Sequence, residues 1–114
     1  MIGNTGDIEG QPLSGEGIES VVKRLLVGPA DGWQGWAMRL FELAPGGHTP
    51  RHRHPWPHIN YVTGGRGTLH VDGADTTVVA GSFAYVPAGA THQFSNAGDG
   101  TFAFLCIVPE EGES

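Results

Sequence analysis

Pro50-Arg51-His52-Arg53-His54-Pro55-Trp56-Pro57-His58 decides the reading of this chain, together with His92 behind the turn sequence Pro87-Ala88-Gly89-Ala90-Thr91. Neutral imidazole is the commonest protein ligand for transition metals. Four histidines brought to one point therefore make a site for Mn, Fe, Ni, Cu or Zn rather than for Mg or Ca. His52 and His54 are two apart, which in an extended strand puts both rings on one face. Proline lacks the ladder donor, so Pro55 and Pro57 interrupt that strand and let His58 return to the site from the next one. A histidine alone is usually a surface or satisfied core residue. Here the four sit in a spaced framework. Gly46 is followed after five residues by His52, after one by His54, after three by His58 and after six by Gly65. Gly81 is followed after five by Pro87, after one by Gly89, after two by His92 and after three by Asn96.

These two halves resemble the paired motifs of the cupin superfamily. The second half matches at every signature position, and the first departs once, with His58 where a glutamate is usual as third ligand. The resemblance covers roughly residues 20 to 109 and implies an all-β, single-domain cupin, a jelly-roll antiparallel β-barrel with the metal inside. His58, Arg51-His52, His54-Pro55-Trp56 and the ending Phe104-Leu105-Cys106 make the pattern most similar to compact cupins with a four-histidine manganese site. The resemblance thus implies one divalent transition metal per chain, manganese foremost, with Fe, Ni, Cu or Zn able to occupy the same imidazoles.

Composition agrees. The 114 residues leave room for one domain and one core, which association with a second copy would help to stabilise, so a homodimer is expected. Nineteen glycines and eight prolines, scattered between short apolar runs, suit a meander of short strands with tight turns. A formal net charge of −6 without a Lys/Arg cluster gives no support to nucleic-acid or anionic-membrane binding. No basic stretch followed by an apolar core opens the chain, and no apolar run approaches the roughly 20 residues of a membrane span. A cytoplasmic protein is expected. Cys106 is the one cysteine, so an internal disulfide is impossible.

Residues 1–20 are polar and glycine-containing and read as a flexible arm, 21–109 as the barrel, and 110–114 as an acidic tail. Strands are expected at Val21–Val27, Trp36–Leu43, Thr49–His54, His58–Thr63, Gly67–Val71, Thr76–Val79, Phe83–Val86, His92–Ser95 and Thr101–Val108. Breaks fall at Pro45-Gly46-Gly47 and at the other Gly/Pro clusters. The Val21–Val27 strand, with its leader, is the candidate for crossing to a second copy. If His58 faces inward, so do Asn60 and Val62; if His92 does, so does Phe94. Parity leaves open whether Phe102, Phe104, Cys106 and Val108 or Ala103, Leu105 and Ile107 face the pocket. The resemblance favours Phe104 and Cys106 and adds Arg39, giving Arg39, Asn60, Phe94, Phe104 and Cys106 as candidate substrate-pocket residues. Trp33, Trp36 and Trp56 are candidates for a dimer contact or the pocket mouth, and His48 and His70 for solvated positions.

Four neutral ligands leave a divalent ion its whole charge, which favours anionic or polarizable oxygen donors. Glu42, Asp72, Asp75 and Asp99 are the remaining barrel-region carboxylates, and none forms an evident acid/base pair, so no catalytic residue is named beyond the metal centre. That points to chemistry done by the metal: oxygen or peroxide activation, or Lewis-acid polarisation. The resemblance implies an oxidoreductase of dioxygenase type acting on a small apolar or aromatic molecule. A metal-dependent isomerase or lyase and a non-catalytic ligand-binding module are the alternatives, since cupin barrels host many activities.

Overall fold

Alternation along the last strand explains the architecture. In the computed structural model, which describes residues 1–113, Phe102, Phe104, Cys106 and Val108 are buried while Ala103, Leu105 and Ile107 are only partly so. A strand of period two can do this only with one face on a core and the other turned outward. The strands are β1 (Gln11–Leu13), β2 (Glu19–Val27), β3 (Trp36–His48), β4 (His58–Gly64), β5 (Arg66–Val71), β6 (Ala74–Val79), β7 (Phe83–Val86), β8 (His92–Asn96) and β9 (Phe102–Pro109). Three single turns of 3-10 helix lie at Thr5–Asp7, Pro29–Asp31 and Glu110–Gly112. Every pairing is antiparallel, in the order β6-β5-β8-β3-β9-β4-β7, with β2 on the other edge of β3 and β1 on β2. The sheet curls on itself, in the jelly-roll form expected from the sequence.

The hydrophobic core lies inside the curl. Val21, Leu43, Val62, Leu69, Val78, Phe94, Phe102 and Phe104 form one buried cluster, and Ala37, Cys106 and Val108 a second beside it. Register sets which residues share a row across the wall. Arg39 of β3 stands opposite Cys106 of β9, which stands opposite Asn60 of β4; the next row is Phe41, Phe104 and Val62.

Two expectations need correction. Thr49–His54 does not form a strand: His52 makes a single bridge to His92, and the stretch is otherwise irregular. Pro50 and Pro55 cannot donate, so the stretch is held instead by Thr49 N–H to Phe94 O (2.9 Å) and the reciprocal His52–His92 backbone pair (3.1 and 2.9 Å). Pro45-Gly46-Gly47 is not a chain reversal but a bulge inside β3, which runs on to His48. Between Val21 opposite Leu43 and Glu19 opposite His48, β3 carries the excess residues. Gly47 permits it, because a Cβ there would lie 2.8 to 2.9 Å from the carbonyl oxygens of Ala44, Glu19 and Ser20. Gly65, at φ +78°, packs so closely on Thr101 that a Cβ would collide with its carbonyl oxygen.

The first 20 residues carry β1, whose Gln11–Leu13 pair with Val21–Lys23, a strand too polar to be read from sequence. β2, the candidate for crossing over, pairs with β3 of its own chain. Of the expected tail, Ser114 lies outside the described residues. Among the described residues no helix is long and apolar enough to cross a membrane.

Candidate metal centre

Three elements deliver the histidines. His52 and His54 come from the irregular stretch before β4, His58 opens β4, and His92 opens β8. The stretch is pinned at its far end by Gly89, whose N–H donates to His54 O at 2.9 Å, so the Pro87–Gly89 turn positions a ligand on another loop. One ring nitrogen each of His52, His54 and His92 falls within a mutual 4.8 Å. His58 joins them through His92, with their Nε2 atoms 3.2 Å apart, and its ring centroid lies 5.4 Å from that of His54.

The Nδ1 atoms determine what these rings can do. Nδ1 of His54 lies 2.8 Å from Trp56 O and Nδ1 of His92 lies 2.9 Å from Ala90 O. A carbonyl oxygen only accepts, so both Nδ1 atoms carry the proton and both Nε2 atoms present a lone pair. His58 is held the same way by Asn60 Oδ1 at 2.6 Å. The orientation of Asn60 follows from its other end, because Nδ2 donates to Leu105 O at 3.2 Å. Nε2 of His58 and of His92 are therefore two lone pairs 3.2 Å apart, an arrangement that repels unless a cation lies between them. Cis nitrogens on an ion with bonds of about 2.1 Å are separated by roughly 3.0–3.4 Å, which fits that spacing. The donor set thus suits a divalent transition metal: imidazoles of which three, His54, His58 and His92, are turned by an acceptor on the far side.

Protonation would spoil this arrangement, and the surroundings oppose it. Burial, then the fields of His92 and His54, lowers the pKa of His52 to about 4. Burial lowers His58 to about 4 despite the raising effect of its Asn60 hydrogen bond, with His92, His54 and Arg39 adding to the lowering. Burial also lowers His92, against the raising effect of its bond to Ala90. At neutral pH these rings are uncharged.

A cavity of about 390 Å³ opens beside the histidines, and all five expected pocket residues, Arg39, Asn60, Phe94, Phe104 and Cys106, line it. Its apolar wall is a stack: Phe41 and Phe104 have ring centroids 5.5 Å apart, and Phe104 and Phe94 are 4.0 Å apart. Trp56 also lines the cavity and stacks on His54 at 4.7 Å, whereas Trp33 and Trp36 are exposed. The expected outsiders lie elsewhere: His70 pairs with Asp75 at 2.7 Å, and His48 faces Thr49 O.

Of the lining residues that were not foreseen, Phe41, Lys23 and Glu113 bear on the chemistry. Phe41 was within reach, since it shares a face of β3 with Arg39 by simple alternation. Lys23 and Glu113 were not, because ninety positions separate two groups whose Nζ and Oε2 meet at 2.9 Å. Glu113 returns to the cavity from the turn at Glu110–Gly112 and also takes a bond from Arg39 Nη1 at 3.2 Å.

Residues 39–108 match the cupin domain family. This chain is a cupin. It is 35% identical over 74 residues to 1-methylthio-D-xylulose 5-phosphate methylsulfurylase of Rhodospirillum rubrum, a match covering 65% of this chain and 47% of that protein. It is 31% identical over 74 residues to an oxalate-binding protein of Thermotoga maritima, covering 61% of each. The cupin thus spans less than two thirds of the length of either relative. Among solved structures it superposes on the polyketide cyclase RemF from Streptomyces resistomycificus with a TM-score of 0.90 and 28% identity, covering 96% of this chain and 79% of that one.

Proposed function

We propose that this cupin is an enzyme that binds one divalent transition metal, manganese foremost, through His52, His54, His58 and His92 and transforms an oxygenated aromatic or polyene molecule lying on the Phe41–Phe104–Phe94 stack. The observation that carries the reading is the pair of converging Nε2 lone pairs at one side of an apolar cavity of about 390 Å³. A divalent ion bound there supplies Lewis-acid polarisation of a substrate oxygen. The chain's own residues do the rest. Asn60, Ala90 and Trp56 hold the imidazoles in the Nδ1–H form, and the phenylalanine stack orients a flat substrate and excludes water. Glu113 is tied by Lys23 and Arg39 and is not a free base. Chemistry that isomerises, cyclises or cleaves without net oxidation needs least from such a site, and the names of the cyclase and the methylsulfurylase support that class.

The dioxygenase-type oxidoreductase is the second reading, favoured by the water-poor aromatic wall and by a donor set that also accepts redox-active metals. Metal-exchanged protein separates the two. Conversion of a poly-β-carbonyl aromatic precursor by the zinc form without oxygen supports the first reading. Turnover confined to a redox-active metal, with oxygen consumed, replaces it by the second. Binding of such compounds with no conversion under either condition leaves a ligand-binding module.

The homodimer belongs to the same proposal. The outer faces of β4 and β7 expose Ile59, Tyr61, Phe83 and Tyr85 in paired register, with Phe83 82% and Tyr85 65% exposed. This apolar face on an edge strand suits a second copy better than β2, whose edge β1 already covers at Val21–Lys23.

A further inference from the structure

The charged groups of the cavity do not balance. Among the described residues, Lys23, Arg39 and Glu113 are the lysine, arginine and carboxylate side chains in its wall. Two cations against one carboxylate leave one positive charge in an apolar chamber of a protein whose formal net charge is −6. All three are well buried, with side-chain exposures of 14%, 11% and 17%. An uncompensated buried charge is costly, and proteins retain one where a ligand completes the pairing.

Arg39 shows where the completing group belongs. Its Nη1 donates to Gly112 O at 3.3 Å and to Glu113 Oε1 at 3.2 Å, and its Nη2 donates to Cys106 Sγ at 3.1 Å. Its Nε is buried and has no acceptor. The Nε and Nη2 protons point the same way from the planar guanidinium and form the fork that grips a carboxylate with two parallel bonds. Here that fork meets one weak sulfur acceptor and no oxygen. The guanidinium carbon lies over the Phe41 ring, 4.9 Å from its centroid.

We infer that the Nε/Nη2 edge of Arg39, supported by Lys23, is a subsite for a carboxylate or similar planar oxyanion on the substrate, with Glu113 as the internal counter-ion that moderates it. This inference rests on the proposed function in one respect: it deepens the identity of the molecule that function would act on. The register supplies the spacing. Arg39, Cys106 and Asn60 occupy one row across β3, β9 and β4, and Asn60 holds His58, so the anion subsite and the histidine cluster lie two strands apart, on the order of 10 Å. A fused aromatic acid bearing a second oxygen on its far side has that reach. The Phe41–Phe104 stack lies in the adjacent row, beneath the line joining the two ends.

The test measures binding, not turnover. The probes are 2-naphthoate and its neutral isostere 2-naphthamide. They are titrated calorimetrically into the 114-residue chain, both metal-loaded and after chelation, and into Glu113→Gln, Lys23→Met and Arg39→Lys. In the chelated wild type 2-naphthoate should bind at least about ten-fold tighter than the amide, the effect of roughly one charge-assisted pair. Glu113→Gln should tighten the acid about ten-fold further and leave the amide unchanged, since it removes the competing carboxylate. Lys23→Met and Arg39→Lys should each reduce the preference for the acid. Equal affinities for acid and amide in both chelated wild type and chelated Glu113→Gln would overturn the inference, as would failure of either protein to bind the acid. Arg39 is buried and its variant can fail to fold, but the Glu113→Gln comparison stands without it. A preference for the acid in protein that takes up no metal would sink the metal reading and leave the subsite standing.

Discussion

Replacing Asn60 by leucine separates holding a metal ligand from filling a core. Asn60 is 1% exposed and has two partners, His58 Nδ1 through Oδ1 at 2.6 Å and Leu105 O through Nδ2 at 3.2 Å. Leucine is of comparable volume, so it opens no large cavity, but it removes both bonds. Two lost hydrogen bonds cost about 1 kcal/mol each, and stranding the buried His58 N–H costs about 1–3 kcal/mol more, partly counting the same loss. The metal-free fold should therefore lose roughly 2–4 kcal/mol. Metal affinity should fall as well, by about 10–100-fold, because His58 is no longer held in the Nδ1–H form with Nε2 facing His92. Phe102→Ala is the control. That ring is fully buried and does not line the histidine cavity, so the variant should lose about 3–5 kcal/mol of stability with metal affinity nearly unchanged in the fraction that remains folded. Urea denaturation of the chelated proteins gives the first quantity, and competition with a chelator of known affinity gives the second. Wild-type metal affinity in Asn60→Leu would show that the Nδ1 partner does not prepare this site, and the argument from converging lone pairs would fail with it.

Acid should destabilise the metal-free protein before its carboxylates titrate. The folded pKa of His58 is about 4 against 6.5 for the ordinary group, so the unfolded chain binds the proton first. Stability is then level above pH 6.5, falls through the interval down to 4, and loses roughly 2 kcal/mol from His58 alone by pH 5, with His92 acting in the same direction. Urea midpoints that stay constant between pH 7 and pH 5 would contradict this. Gly65→Ala should cost at least about 2 kcal/mol, since it combines positive φ with a collision at Thr101 O. Gly73→Ala, at φ +88° with open space around it, should cost only about 1 kcal/mol, and thermal melts of the pair should show that order. Phe83→Asp combined with Tyr85→Lys should turn a dimer into a monomer by light scattering at micromolar concentration. Unchanged mass would move the proposed interface away from β4 and β7.

Much of the site could be read because the chain encodes it locally. His58, Asn60 and Val62 share a face by alternation along β4, as do His92 and Phe94 along β8, and both pairs of assignments hold. The glycines and prolines of the two motifs also mark real constraints, visible at Gly65 and in the bond from Gly89 to His54. Where local rules competed, the reading failed. Thr49–His54 alternates well enough for a strand, but Pro50 within it and Pro55 just beyond it leave too few donors for a ladder, and Pro45-Gly46-Gly47 looks like a chain reversal although the twist of the curled sheet absorbs it as a bulge.

The sequence by itself determined the alternation along β4 and β8 and most of the turns, and it singled out the four histidines as candidates, because these signals lie among neighbours a few residues away. Tertiary structure decided the rest. It chose the inward face of β9, since only a packed barrel interior distinguishes Phe104 and Cys106 from Leu105 and Ile107. It turned Nδ1 of His54, His58 and His92 toward acceptors, and for His58 that acceptor, Asn60, is itself oriented by a carbonyl on another strand. It also brought Lys23, Arg39 and Glu113 together from β2, β3 and the turn after β9. Charge in a cavity is a sum over groups remote in the chain, and no local pattern carries it.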